Sequence, residues 1–194
     1  MIRLYLIRHG ETEYNQKGCY YGWTDCGLTE KGILQAEMLK EAFVGIELHE
    51  VLSSDLKRAV ETARHIKPVE PLLDSRLREL NFGHWEGLNY KEIMAQYPED
   101  WTAWTEDWIH GAPTAGESLH SMWERISNCV EECLARYGDK NIAIIGHNGS
   151  LRIIAACLLG LSPEKQWCFD FEQGKYSLLE WQEGHCVIRR MNFI

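Results

Sequence analysis

Apolar positions along the chain fall into two rhythms that alternate. Ile2-Arg3-Leu4-Tyr5-Leu6-Ile7 is a short, nearly continuous apolar run, and Glu50-Val51-Leu52-Ser53 and Asn141-Ile142-Ala143-Ile144-Ile145 are two more. Runs of this length predict strands buried on both faces. Between them the spacing lengthens to three and four residues. Ile33, Ala36, Leu39 and Phe43 predict a helix with Thr29 as its N-cap. A second helix opens at Asp55-Leu56-Lys57-Arg58 and ends near Pro68, with a brief strand expected over 69–73. Residues 90–109 predict one or two short helices, and Pro113-Thr114-Ala115-Gly116 then breaks the chain. The clearest helical period follows, through Leu119, Met122, Ile126, Cys129, Cys133 and Leu134. Another apolar helix follows after Gly146 and runs up to Leu159. Residues 176–181 and 186–191 predict a hairpin turning at Glu183-Gly184.

Strands that alternate with helices imply a three-layer α/β/α fold, with a mostly parallel central sheet and an antiparallel edge from the hairpin. No repeat, low-complexity stretch or linker interrupts the 194 residues, so one domain over 1–194 is expected.

Charge narrows the partners. The chain has 20 basic and 29 acidic residues, a net charge of -9, and no basic run of the kind nucleic-acid binding needs. An anionic ligand would have to be met by locally concentrated cations. No stretch approaches the roughly 20 apolar residues of a membrane helix, and the start lacks the layout of a signal peptide. The seven cysteines are odd in number and contain no Cys-x-x-Cys pair, which argues against a zinc site or a disulfide framework and for a reducing cytoplasm. Cys129 and Cys133, one helical turn apart, are expected in the core.

Chemistry collects where the strands end. Arg8-His9 follows the first strand, Ser53-Ser54 the second with Arg58 close behind, and Gly146-His147-Asn148-Gly149 the third. If these strands are parallel, all three groups emerge on the edge of the sheet where open α/β folds bind ligands. Two guanidinium forks, two imidazoles and the amides of helix N-termini then suit a phosphate. A neutral histidine there can accept a phosphoryl group covalently, while arginines take up the transition-state charge that a metal ion carries in other phosphatases. No Asp-x-Asp-x-Thr or His-Glu-x-x-His motif is present, so neither a metal nor a cofactor is expected.

Five blocks, in order, carry a family likeness: Arg8-His9-Gly10-Glu11-Thr12 to Asn15, Asp25-Cys26-Gly27-Leu28-Thr29 to Gly32, Ser53-Ser54-Asp55-Leu56-Lys57-Arg58-Ala59 to Ala63, Arg78-Glu79-Leu80-Asn81-Phe82-Gly83 to Gly87, and Gly146-His147-Asn148-Gly149-Ser150-Leu151-Arg152. Together they resemble the histidine phosphatase superfamily, which includes the cofactor-dependent phosphoglycerate mutases. The resemblance implies His9 as the phosphorylated nucleophile and Arg8, Arg58 and His147 as phosphoryl-binding groups, with Asn15, Gly22 and Asn148 at the substrate. It implies Glu79 as proton donor to the leaving group and then as base for water, with Glu86 behind it.

Mutases of the family tend to be longer and carry an Arg-His pair after the acid. Leu80-Asn81 stands there in this chain, which favours hydrolysis. Within the phosphatases, residues 78–87, Pro113-Thr114-Ala115-Gly116-Glu117-Ser118 and 171–177 look like the α-ribazole phosphatases of cobalamin synthesis, which act on α-ribazole 5′-phosphate or the adenosylcobalamin precursor that carries it. Broad-specificity and phosphoserine-type phosphatases share most of these motifs, and a catalytically silent phosphate-binding module is the reading from another class. Trp101, Trp104 and Trp108 stand at helical spacing, as a core-facing stripe or as an aromatic lid on which a flat base could stack.

Overall fold

A computed structural model describes residues 1–67 and 70–194, so the expected helix end at Pro68 and the start of the strand at Val69 lie outside the described residues. Six strands form one sheet in the order β3-β2-β4-β1-β5-β6: β1 (Ile2–Arg8), β2 (Glu50–Ser53), β3 (Leu72–Leu73), β4 (Asn141–Gly146), β5 (Tyr176–Gln182) and β6 (His185–Phe193). β1, β4, β2 and β3 are mutually parallel, and β5 runs antiparallel between β1 and β6, which makes the expected edge hairpin.

The central strands β1, β2 and β4 are largely apolar because both faces are covered. Side chains alternate along a strand, so Leu4, Leu6, Ile142 and Ile144 join a core with the helices α6 (Leu119–Arg136) and α7 (Asn148–Leu158), whereas Tyr5, Ile7, Ala143 and Ile145 join a second core with α2 (Glu30–Ala42) and α3 (Lys57–Ile66). Cys129 and Cys133 are buried on α6 as expected, and all seven cysteines are free thiols. No helix among the described residues is long and apolar enough to cross a membrane.

Thr29 caps α2 by accepting a hydrogen bond from the Gly32 amide, as expected. The buried face of that helix is Gly32, Ala36 and Leu39, however, and Ile33 is 40% exposed. Gly32 rests on the Glu11 backbone at the turn after β1, and this contact rotates Ile33 outward. The short helices α1 (Glu13–Lys17), α4 (Tyr90–Gln96) and α5 (Pro98–Glu106) lie in the connections beyond the strand ends.

Candidate active site

Strand register alone brings two of the candidate side chains together. Arg8 pairs with Gly146 and Ser53 with Ile145, and the pairing runs one step past the strands. The His9 amide donates to the Gly146 carbonyl (3.1 Å) and the Ser54 amide to the Ile145 carbonyl (2.9 Å). His9 and His147 therefore face each other with ring centroids 5.1 Å apart. Both are almost completely buried.

Hydrogen bonds set the form of each ring. His9 Nδ1 lies 2.7 Å from the Gly10 carbonyl, an acceptor only, so Nδ1 carries the proton and Nε2 keeps its lone pair. Burial, then the charges of Arg58 and Arg8, push the His9 pKa well below the usual 6.5. The ring is neutral at neutral pH, as a nucleophile must be. His147 is likewise held well below 6.5, first by burial and then by Arg58. Its Nδ1 accepts from Arg58 Nε at 3.2 Å, which places its proton on Nε2, 3.0 Å from the Ser54 hydroxyl. Both nitrogens of His147 thus have protein partners, and it joins His9, Arg8 and Arg58 in one cationic cage through its bond to Arg58.

Arg58, fully buried in α3, is held on three sides. Besides His147, its guanidinium donates to the carbonyls of Gly22 (2.7 Å) and Thr24 (2.9 Å), and it lies 4.7 Å from the Tyr21 ring centroid. The loop that supplies those carbonyls is tied down by Glu86, whose carboxylate accepts from the amides of Gly22, Trp23 and Thr24 at 2.8–3.0 Å. Glu86 therefore aligns Arg58 from a distance, and the Gly22 amide, expected at the substrate, is committed to Glu86. A side chain at Gly22 would collide with the Leu80 carbonyl, so glycine is required where these two loops touch.

Arg8 donates to the Phe171 carbonyl at 2.6 Å, and its buried Nε has no partner among the described residues. Burial lowers its pKa, with the charge of Glu79 acting in the opposite sense, which places the carboxylate within electrostatic reach. Glu79 accepts from the Gly149 amide (2.9 Å) at the N-terminus of α7 and from its neighbour Leu80 (3.0 Å). A Cβ at Gly149 would strike that carboxylate, so glycine admits it. Arg125, itself paired with the Glu117 carboxylate at 2.6 Å, fixes the Glu79 backbone by donating to the carbonyls of Arg76, Arg78 and Glu79; no motif pointed to Arg125, because the main-chain atoms it holds are remote in sequence.

Arg8, Glu79, Asn15 and Asn148 line a cavity of about 400 Å³. The Asn15 side-chain oxygen is bonded to Thr12 and Tyr21. The Asn148 amide is spent on Asp170 and the Phe171 backbone, which braces the segment that holds Arg8. The remaining walls are largely aromatic: Tyr20, Phe82, Trp104, Trp108 and Trp167, with Leu119 and Met122. The three expected tryptophans divide. Trp101 and Trp104 both pack on the fully buried Trp85, at 5.7 and 5.6 Å, but of the three only Trp104 and Trp108 line the cavity. Trp108 also lies past the end of α5, so the stripe is not a single helical face. Arg152, Gln166 and Trp167 were not among the expected site residues. Arg152 is joined to Asp170 at 2.9 Å and stacked 5.0 Å from Trp167. Among the described residues no group of three or more His, Cys, Asp or Glu side chains could hold a metal ion.

A buried neutral imidazole beside two guanidinium groups, with a carboxylate at a cavity mouth, is the equipment of a phosphoryl-transfer enzyme, and the chain belongs to branch 1 of the histidine phosphatase superfamily, whose family model matches residues 4–194. It is a phosphatase. Among its relatives, the adenosylcobalamin/α-ribazole phosphatase of Escherichia coli K12 is 34% identical over 194 residues, covering 98% of this chain and 96% of that one. Phosphoserine phosphatase 1 of Hydrogenobacter thermophilus is 33% identical over 195 residues, covering 99% and 92%. The crystal structure of the α-ribazole phosphatase from Shigella flexneri superposes with a TM-score of 0.93 at 34% identity, covering 98% of this chain and 96% of that one.

Proposed function

We propose that this phosphatase hydrolyses phosphate monoesters through a phosphohistidine on His9, without a metal ion, and that its substrate is α-ribazole 5′-phosphate or the adenosylcobalamin 5′-phosphate that contains it. The free lone pair of His9 Nε2 beside Arg58 and Arg8 is the observation that carries the mechanism. In the first step Nε2 attacks phosphorus and the ester P–O bond breaks. The leaving alkoxide takes the proton of the Glu79 carboxylic acid. In the second step the Glu79 carboxylate takes a proton from water, the oxygen attacks phosphorus and the P–N bond breaks. Inorganic phosphate leaves and His9 is regenerated. Arg8 and the uncommitted N–H groups of Arg58 meet the charge on the equatorial oxygens, and His147 keeps Arg58 in place.

The aromatic walls of the cavity support the substrate. A benzimidazole riboside offers a flat apolar ring to Trp104 and Trp108, and such contacts are worth about 0.5–1.5 kcal/mol beyond area burial. Phosphoserine, the second reading, is favoured by one feature, the Arg152 cation at the same cavity, which could meet its carboxylate.

Two measurements test this. Incubation with a radiolabelled phosphodonor should leave an acid-labile, base-stable label on the wild-type protein and none on His9→Ala; equal labelling of both would overturn the covalent step. Turnover of α-ribazole 5′-phosphate should exceed that of phosphoserine and 3-phosphoglycerate, with activity retained in excess chelator. Equal, slow rates on all three would remove the specific substrate.

A further inference from the structure

Gln166 is an uncharged polar residue with only 3% of its surface exposed, placed in the short 3-10 turn Pro163–Cys168 that follows α7. Its side-chain amide makes no hydrogen bond to any described residue, although its backbone carbonyl accepts from Phe169. The polar atoms of that amide keep some accessible surface, since the buried side-chain atoms without a partner among the described residues are Arg8 Nε and Arg152 Nε, so the amide is open to water or to a ligand. This one lines the same cavity as Arg8 and Glu79. None of the groups of the phosphate cage bonds to it. Their partners are Gly10, Phe171, Gly22, Thr24, Ser54 and one another, together with Gly149 and Leu80 for Glu79.

Its surroundings specify what it can read. The next residue, Trp167, meets Trp108 edge to face at 5.9 Å, and Trp104 and Phe82 belong to the same walls. A ring lying against these faces is held apolar surface to apolar surface, and it can offer polar atoms only at its edge. A side-chain amide supplies both a donor and an acceptor there. A site built to hydrogen-bond a substrate group also rejects analogues that lack the group, because its own polar atoms are then left unpaired.

We propose that Gln166 is a specificity-determining residue that donates a hydrogen bond to a ring nitrogen of a flat, neutral heteroaromatic alcohol portion. This deepens the substrate reading above and rests on it. It acts on binding of the leaving group and not on the phosphoryl step.

The test is a cycle of two enzymes and two substrates, with phenyl phosphate as a third, small substrate that has no ring nitrogen. Wild type and Gln166→Leu are compared on the 5′-phosphates of the benzimidazole riboside and of its indole counterpart, in which a carbon replaces the free ring nitrogen. One lost hydrogen bond corresponds to about a tenfold change. Wild type should therefore prefer the benzimidazole substrate about tenfold in kcat/KM, chiefly through KM. Gln166→Leu should lose that preference and keep its rate on phenyl phosphate. Gln166→Met, which preserves length, provides a second variant should leucine disturb folding, and wild type on the substrate pair reads the preference without any substitution.

A wild-type enzyme that treats the two ribosides alike, or a variant that keeps the preference, would overturn the role of Gln166 while leaving the riboside reading intact. Fast turnover of phenyl phosphate with neither riboside accepted would instead reject the riboside class, and the role of Gln166 with it.

Discussion

The phosphate cage and the aromatic cavity share Arg8 and Glu79 but are built in opposite ways. The cage side chains His9, Arg58 and His147 come from strand ends and the first turn of a helix, are almost fully buried, and have their tautomers or orientation set by named hydrogen bonds. The cavity walls come mostly from the 3-10 turns and loops around Tyr20, Phe82 and Trp108, from the short helix α5 and from the turn carrying Gln166 and Trp167, with Leu119 and Met122 of α6 and Arg152 of α7 completing them; Trp104 and Trp108 are only half-buried. A group that must meet a developing charge gains from preorganisation, so it sits at a strand end or in the helix turn that follows one. A group that selects an alcohol needs shape, which loops can vary without disturbing the sheet.

Substitutions can break or sharpen this division. Glu79→Gln should lower kcat/KM, which reports the first step alone, about 10²–10⁴-fold on alkyl phosphates. The loss should be much smaller on p-nitrophenyl phosphate, whose leaving group needs no proton; equal losses on both would remove Glu79 as the acid. Arg58→Lys keeps the charge but not the planar fork that reaches His147, Gly22 and Thr24. It should cost about 10²–10³-fold in kcat on every substrate, and a purely KM effect would place Arg58 outside the transition state.

Trp104→Ala, in contrast, should raise KM for an aromatic alcohol by about tenfold, from lost stacking and apolar burial, and leave phenyl phosphate turnover near wild type. If kcat fell on both substrates, the wall and the cage would not be separable.

The last effect is on stability and belongs to the cage. Folding holds His9 and His147 neutral, with pKa values well below 6.5. Unfolded, each ring binds a proton as the pH falls through 6.5, and the folded protein does not. Stability is therefore level above that pH and declines below it, by up to about 1.4 kcal/mol per pH unit for each histidine. Denaturant unfolding at pH 5 and 7 measures the loss, and His147→Asn should lessen its slope.

Some of this was legible in the chain alone. The short apolar runs ending in Arg8-His9, Ser53-Ser54 and Gly146-His147 implied parallel strands with their chemistry on one edge, because a strand covered on both faces has to be apolar along its length. The helix faces of α6 and the hairpin at Glu183-Gly184 followed from periodicity and turn chemistry for similarly local reasons. Ile33 did not, since a helix with a modest apolar stripe is oriented by what it rests on, here the contact of Gly32 with Glu11.

Order along the chain thus determined which side chains are available and which strand carries each. Only the tertiary structure decided that Glu86 would hold the loop that holds Arg58, that Arg125 would brace Glu79, and that of Trp101 and Trp104, both packed on Trp85, only Trp104 would line the cavity. Gln166 shows the reason most plainly. A glutamine in a polar turn looks like a solvated residue, and its burial comes from helices and tryptophans distant in sequence. Local pattern records the period of a segment, whereas burial and bonding depend on what the rest of the chain packs against it.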